Sequence, residues 1–186
     1  MPRKIHISRN LIIFVSPESN AINRRIGVAN RMLEAADSCP SRKLAIGGME
    51  AIPPELITYT GLTHLHFNGP MSADDVIQLI RRQRQLVYLH INGLNLDDIQ
   101  TDFSIPACAE HEPVAPLVTQ LRGLAISKGH VPMTIDLAFA MLKYLLLRIP
   151  TLKSVTTRFV PVEKIQAFID EYIQWYPHLA NVKLIK

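Results

Sequence analysis

Hydrophobic and polar positions along this chain follow two rhythms that take turns. In the first, apolar and polar residues strictly alternate: Leu65 and Phe67 stand against His64, His66 and Asn68, and Leu89 and Ile91 against Tyr88, His90 and Asn92. A period of two describes a strand with one buried and one wet face. In the second, apolar residues recur every three or four positions. Ile22, Ile26, Ala29, Leu33 and Ala36 form one such helical stripe, and Val76, Ile77 and Ile80 another. Ile135 to Ile149 carries a third, and Ile165, Phe168, Ile169, Tyr172 and Tyr176 a fourth.

Punctuation residues set the bounds of these helices. Ser72-Ala-Asp-Asp75 is a capping-box variant with its carboxylate at the third position. Thr134 can cap the helix that Pro150 stops. Pro161 suits a first helical turn, and Pro177 closes a helix predicted over 162–176.

The strand-like pieces are copies of one pattern, LxxLxL. They read LTHLHF at Leu62, LVYLHI at Leu86, LRGLAI at Leu121, LKSV at Leu152 and LANVKL at Leu179, spaced 24, 35, 31 and 27 residues apart. Weaker copies are RKIHI ending at Ile7 and RKLAI ending at Ile46. Strands alternating with helices predict a parallel sheet with helical crossovers. A doubly wound sheet, covered on both faces, would have near-continuous apolar strands. The one-sided alternation predicts instead an α/β solenoid of about six or seven parallel strands, with helices on one face. One domain over residues 1–186 is expected, with a long irregular loop at 97–118 that contains Pro106, Pro113 and Pro116.

These repeats resemble the leucine-rich repeats of the α/β horseshoe type, as in ribonuclease inhibitor and in fungal F-box proteins with leucine-rich repeats. LVYLHINGLNLDDI (86–99) is similar to the cysteine-containing consensus, with Leu94 where Cys or Asn usually stands. IPPELITYTGLTHLHFNG (52–69) is similar to the shorter connection of the plant type. The resemblance implies a non-catalytic adaptor, and for the F-box proteins substrate recognition in ubiquitin ligation. No F-box is legible in residues 1–61, where only IPPELI echoes one.

Composition narrows the class. With 48% hydrophobic residues and a net charge of +4, the 186-residue chain excludes disorder for its bulk. Cys39 and Cys108 are too few for a disulfide scaffold, so a reducing compartment, cytoplasmic or nuclear, is expected. The apolar run Leu11 to Val15 is too short for a signal peptide, and no run approaches a membrane span.

No GxSxG, Walker loop, GxGxxG, HExxH or CxxC occurs, so an enzyme is not expected, nor a cofactor or metal. Glu110, His111 and Glu112 do not converge on one ion, and Asp74-Asp75 and Asp97-Asp98 suit helix starts and turns. Register sets His66 beside His90, about 4.8 Å away, and His64 beside Tyr88. Three imidazoles on one face have the composition of a zinc site, but His and Tyr fit a protein-binding surface better. A pH-sensitive contact needs only imidazoles that titrate near neutrality. The expected partner surface is His64, His66, Asn68, Tyr88, His90 and Asn92, continued by Ser127, Thr156, Arg158 and Lys183.

Two alternatives compete with a protein partner. One is an enzyme or small-molecule site at the strand carboxyl ends, near Asn68-Gly69, Asn92-Gly93 and Ser127-Lys128. The other is nucleic-acid binding through Arg24, Arg25, Arg81, Arg82 and Arg84, against which the modest net charge argues. Short solenoids need their ends covered, so capping by another chain or self-association is also expected.

Overall fold

The computed structural model describes residues 11–14, 42–47, 51–52, 54–96, 100–105, 114–128 and 135–185, with the backbone alone at 11–14, 55 and 128. In chain order the elements are β1 (Leu11–Phe14), β2 (Lys43–Gly47), α1 (Pro54–Thr58), β3 (His64–Ser72), α2 (Ala73–Arg82) and β4 (Tyr88–Asn95). They continue with β5 (Gly123–Lys128), α3 (Ile135–Arg148), β6 (Ser154–Thr157), α4 (Val162–Tyr172), a 3-10 helix (Pro177–Asn181) and β7 (Lys183–Ile185). The strands form one seven-stranded sheet in the order β1-β2-β3-β4-β5-β6-β7, and each adjacent pair is parallel.

The alternation along the strands becomes two faces. Leu44, Leu65, Leu89, Leu124 and Val155 align in one row, and Ile46, Phe67, Ile91 and Ile126 in the next. All are buried, in one core with Val76, Ile77 and Ile80 of α2, Leu142, Leu145 and Leu146 of α3, and Ile165 and Phe168 of α4. Burying a side chain of this size is worth roughly 1.5–3 kcal/mol. Residues of the other parity on β3 and β4, such as His66, Asn68 and Tyr88, are exposed or half-buried. Among the described residues, helices therefore cover one face of the sheet and leave the other open.

Local chemistry explains the element ends. Ser72 Oγ accepts a hydrogen bond from Asp75 N (3.0 Å) and donates one to Asp75 Oδ2 (2.7 Å), which starts α2 as the capping-box pattern predicts. Past the end of α2, the fully buried Gln83 donates from Nε2 to Leu56 O (2.7 Å) and ties α1 to the core. α3 ends at Arg148, two residues before Pro150. Pro161 is the N-cap of α4 and not its first helical residue. α4 stops at Tyr172, short of the predicted 176, and Tyr176 caps the 3-10 helix instead.

Three readings fall outside the described residues, and one further expectation changes. The first described strand is Leu11–Phe14, whereas RKIHI lies outside the described residues, as do the stripe Ile22–Ala36 and the cap Thr134. Asn68-Gly69 and Asn92-Gly93 are not loops: β3 and β4 run on through them to Ser72 and Asn95, with register shifts after Asn68 and Asn92. Gly93 takes φ +124°, and a Cβ there would lie 2.6 Å from Gly69 O, so the two strands approach closely only because the residue is glycine.

The 97–118 connection holds no helix or strand in its described parts, yet it is fastened at both ends. The Asp74 carboxylate accepts hydrogen bonds from Gln100 N, Thr101 N and the Thr101 hydroxyl. Farther on, Leu117 N donates to Arg148 O (2.7 Å), Arg148 Nη1 to Ala115 O (3.1 Å) and the Val114 amide to the Tyr176 hydroxyl (3.2 Å).

Candidate functional site: the open face of the sheet

Three in-register rows make the open face. The first runs Lys43, His64, Tyr88, Gly123, Ser154 and Lys183; the second Ala45, His66, His90, Ala125, Thr156 and Ile185; the third Gly47, Asn68, Asn92 and Ser127. Parallel pairing holds equivalent repeat positions side by side, so LxxLxL units far apart in sequence place their variable residues on one grid.

The centre of the grid is a pair of imidazoles. His66 and His90 stack with centroids 4.1 Å apart and an interplanar angle of 13°. Beside them His64 and Tyr88 sit 6.2 Å apart, tilted by 35°, and His64 Nδ1 lies 3.0 Å from Thr63 Oγ1. In the third row Asn92 Nδ2 donates to Asn68 Oδ1 (3.0 Å), which ties the two amides together across β3 and β4. The ring of Tyr88 leans over Gly123, and Ala125 is buried at 4% exposure, so the β5 part of the face is a shallow floor between taller neighbours.

Electrostatics on this face favour the neutral form of His64 and His90. Burial lowers the pKa of His90 from its usual value, and the nearby His66 and Arg158 push it further in the same direction. His64 is lowered by burial and by the Lys43 ammonium. Arg158, just beyond β6, is thus within electrostatic reach of His90, although β4 and β6 are two strands apart in the sheet.

The sheet brings together every predicted surface residue: His64, His66, Asn68, Tyr88, His90, Asn92, Ser127, Thr156 and Lys183 occupy the rows, and Arg158 flanks them. Sequence reasoning missed Lys43, Ser154, Gly123 and Ile185. For Lys43 and Ser154 the signal was present in the copies RKLAI and LKSV, whose polar positions align with those of LTHLHF.

Elsewhere the chemistry is sparse. Among the described residues no group of three or more His, Cys, Asp or Glu is arranged to hold a metal ion. Glu110, His111, Glu112, Asp97 and Asp98 lie outside the described residues. On the helix side an open depression of about 690 Å³ is lined by Phe103, Ser104, Leu137, Lys143 and Tyr172. Lys143 there rests its ammonium 5.0 Å from the Phe139 ring centroid. Of the basic helix residues, Arg81 reaches the Tyr144 hydroxyl (3.4 Å), Arg82 and Arg84 are exposed, and Arg24 and Arg25 lie outside the described residues. Trp175 packs edge-on against Tyr172 with centroids 5.8 Å apart. No helix among the described residues is long and apolar enough to cross a membrane.

No family model, curated protein or solved structure matches this chain.

Proposed function

We propose that this chain is a short leucine-rich-repeat-like solenoid that acts as a non-catalytic interaction domain and presents its open sheet face to a protein partner. The observation that carries this reading is the uncovered face itself. Strands in unbroken chain order put His64, His66, Tyr88, His90, Asn92 and Thr156 on one grid, while the helices pack behind it. A partner would meet side chains already held by strand pairing, so little conformational entropy is lost on binding. Aromatic and amphipathic residues at the centre suit a contact that desolvates its core and leaves a polar rim. The likeness to F-box repeat proteins suggests, as the narrower role, substrate recognition in a ubiquitin-ligase-type assembly of the cytoplasm or nucleus.

The test compares affinity capture by three proteins: wild type, a face variant (His66→Ala, Tyr88→Ala, His90→Ala) and a helix-surface variant (Gln166→Ala, Glu171→Ala), after equal thermal unfolding is verified. A partner kept by the helix variant and lost by the face variant supports the reading. A partner that binds the face variant undiminished overturns it.

A further inference from the structure

The seven strands contain no aspartate or glutamate. Among the described residues every carboxylate lies on a helix or in the segment 100–105: Asp74 and Asp75 on α2, Asp102, Asp136 on α3, and Glu163, Asp170 and Glu171 on α4, with Glu55 on α1. Among the described residues, the charged and titratable groups that face outward from the sheet are Lys43 on β2, His64 and His66 on β3, Tyr88 and His90 on β4, Arg158 after β6, and Lys183 on β7. The open side therefore carries imidazoles and the cations Lys43, Arg158 and Lys183 with no strand carboxylate among them, whereas the helices carry acidic residues mixed with Arg81, Arg82, Lys143, Arg148 and Lys164.

We infer that the open sheet face receives an acidic protein segment, rich in aspartate and glutamate, whose carboxylates sit over the stacked pair His66–His90 and are flanked by Arg158 and Lys183. The inference rests on the reading of this face as a protein-docking surface and adds the chemistry of the partner.

The stacked geometry decides the form of the interaction. Stacked 4.1 Å from the His66 ring, the His90 imidazole resists protonation, because a like charge at that distance repels it. A carboxylate laid across the pair removes that resistance by accepting a charge-assisted hydrogen bond from either ring. Binding therefore takes up protons, and affinity rises as the pH falls through the range where imidazoles titrate. The permanent cations Lys43, Arg158 and Lys183 sit at the margins and are separated by Gly123, Ala125, Ser154 and Thr156. That spread suits single carboxylates on an extended chain. A nucleic acid would need a continuous run of permanent positive charge along its phosphates, which these rows do not supply.

The test uses poly-L-aspartate as the probe, with ring resonances of His66 and His90 followed by NMR. Poly-L-lysine, a neutral serine-glycine peptide and a single-stranded oligonucleotide are run in parallel. Poly-L-aspartate should shift both rings and bind about tenfold more tightly at about pH 5.5 than at about pH 7.5. His66→Gln with His90→Gln should abolish that gain, while Arg81→Gln with Arg82→Gln on α2 should leave it intact.

If poly-L-aspartate leaves the two rings unmoved, or binds the double histidine variant with the same pH dependence, the inference is overturned. Rings moved by the neutral or basic peptide keep the docking face and reject an acidic partner. Rings moved more strongly by the oligonucleotide reject a protein partner for the site altogether. A face that no probe moves overturns the acidic inference alone, and the capture experiment then decides the docking face separately.

Discussion

The ring of Tyr88 occupies the space that a side chain at Gly123 would need: a Cβ added there would lie 2.5 Å from Tyr88 Cδ2 and 3.3 Å from Ser154 Oγ. The two residues are in-register neighbours on β4 and β5, so the absence of one side chain sets the tilt of the other. Gly123→Ala is expected to cost about 1 kcal/mol by overpacking in the wild-type background. In a Tyr88→Ala background the same substitution should cost nothing. A double-mutant cycle by urea denaturation checks this, and additive losses would show that the ring is not the obstacle.

Gly93 takes φ +124° directly against Gly69 O. Gly93→Ala should destabilise the fold by more than about 2 kcal/mol, since both the backbone and the strand contact are strained. The denaturation midpoint reads this. A loss within experimental error would mean that β3 and β4 can separate without penalty.

At the start of α2, Ser72→Ala removes the cap to Asp75 N and should cost about 1 kcal/mol, while Ser72→Gly should cost only a few tenths. Thermal unfolding of the two variants distinguishes a lost cap from a lost side-chain contact, which would penalise both equally.

Asp74 holds the 100–105 segment. Burial alone would raise its pKa, but the hydrogen bonds from Gln100 and Thr101 outweigh it and leave the carboxyl below its usual value. A lowered folded-state pKa means stability that is present above the unfolded value and lost as the pH falls through the folded one. Asp74→Asn should lower stability by about 1–2 kcal/mol near neutrality and flatten the loss below about pH 4. Acid titration of the two proteins by circular dichroism measures it.

His64 and His90 add a dependence of the same sign at higher pH. Both have folded-state pKa values lowered from 6.5, so the unfolded chain binds protons more readily than the native one. Stability should fall as the pH drops through about 6.5 and level off below the folded values. His64→Gln with His90→Gln should remove that slope, as denaturant midpoints across the range would show. An unchanged slope would assign it to other groups.

Much of this architecture is legible along the chain because period-two alternation reports a strand and its buried face directly. LTHLHF and LVYLHI name their own core residues, Leu65, Phe67, Leu89 and Ile91, and register then pairs His66 with His90. Where the chain departs from regular periods, reading fails. Leu11–Phe14 is uniformly apolar and was legible only as an apolar run, although it pairs with β2. The apolar stripe of α4 continues to Tyr176, but the helix unwinds after Tyr172 into a turn and a 3-10 helix that seats His178 Nε2 on Leu146 O (2.9 Å). Asn-Gly steps carry turn chemistry, yet β3 and β4 absorb them as register shifts because neighbouring strands supply hydrogen bonds that a turn would forgo.

By itself, then, the order of residues determined which positions alternate, where helices cap, and that the strands lack carboxylates, since these are local properties of side-chain type and spacing. The tertiary structure decided that the strands pair in chain order. It also stacked His66 on His90, brought Arg158 within reach of a histidine two strands away, and folded Tyr88 over Gly123. Those relationships join residues from separate repeats, and only hydrogen-bonded pairing across the sheet brings such distant positions within a few ångströms of one another.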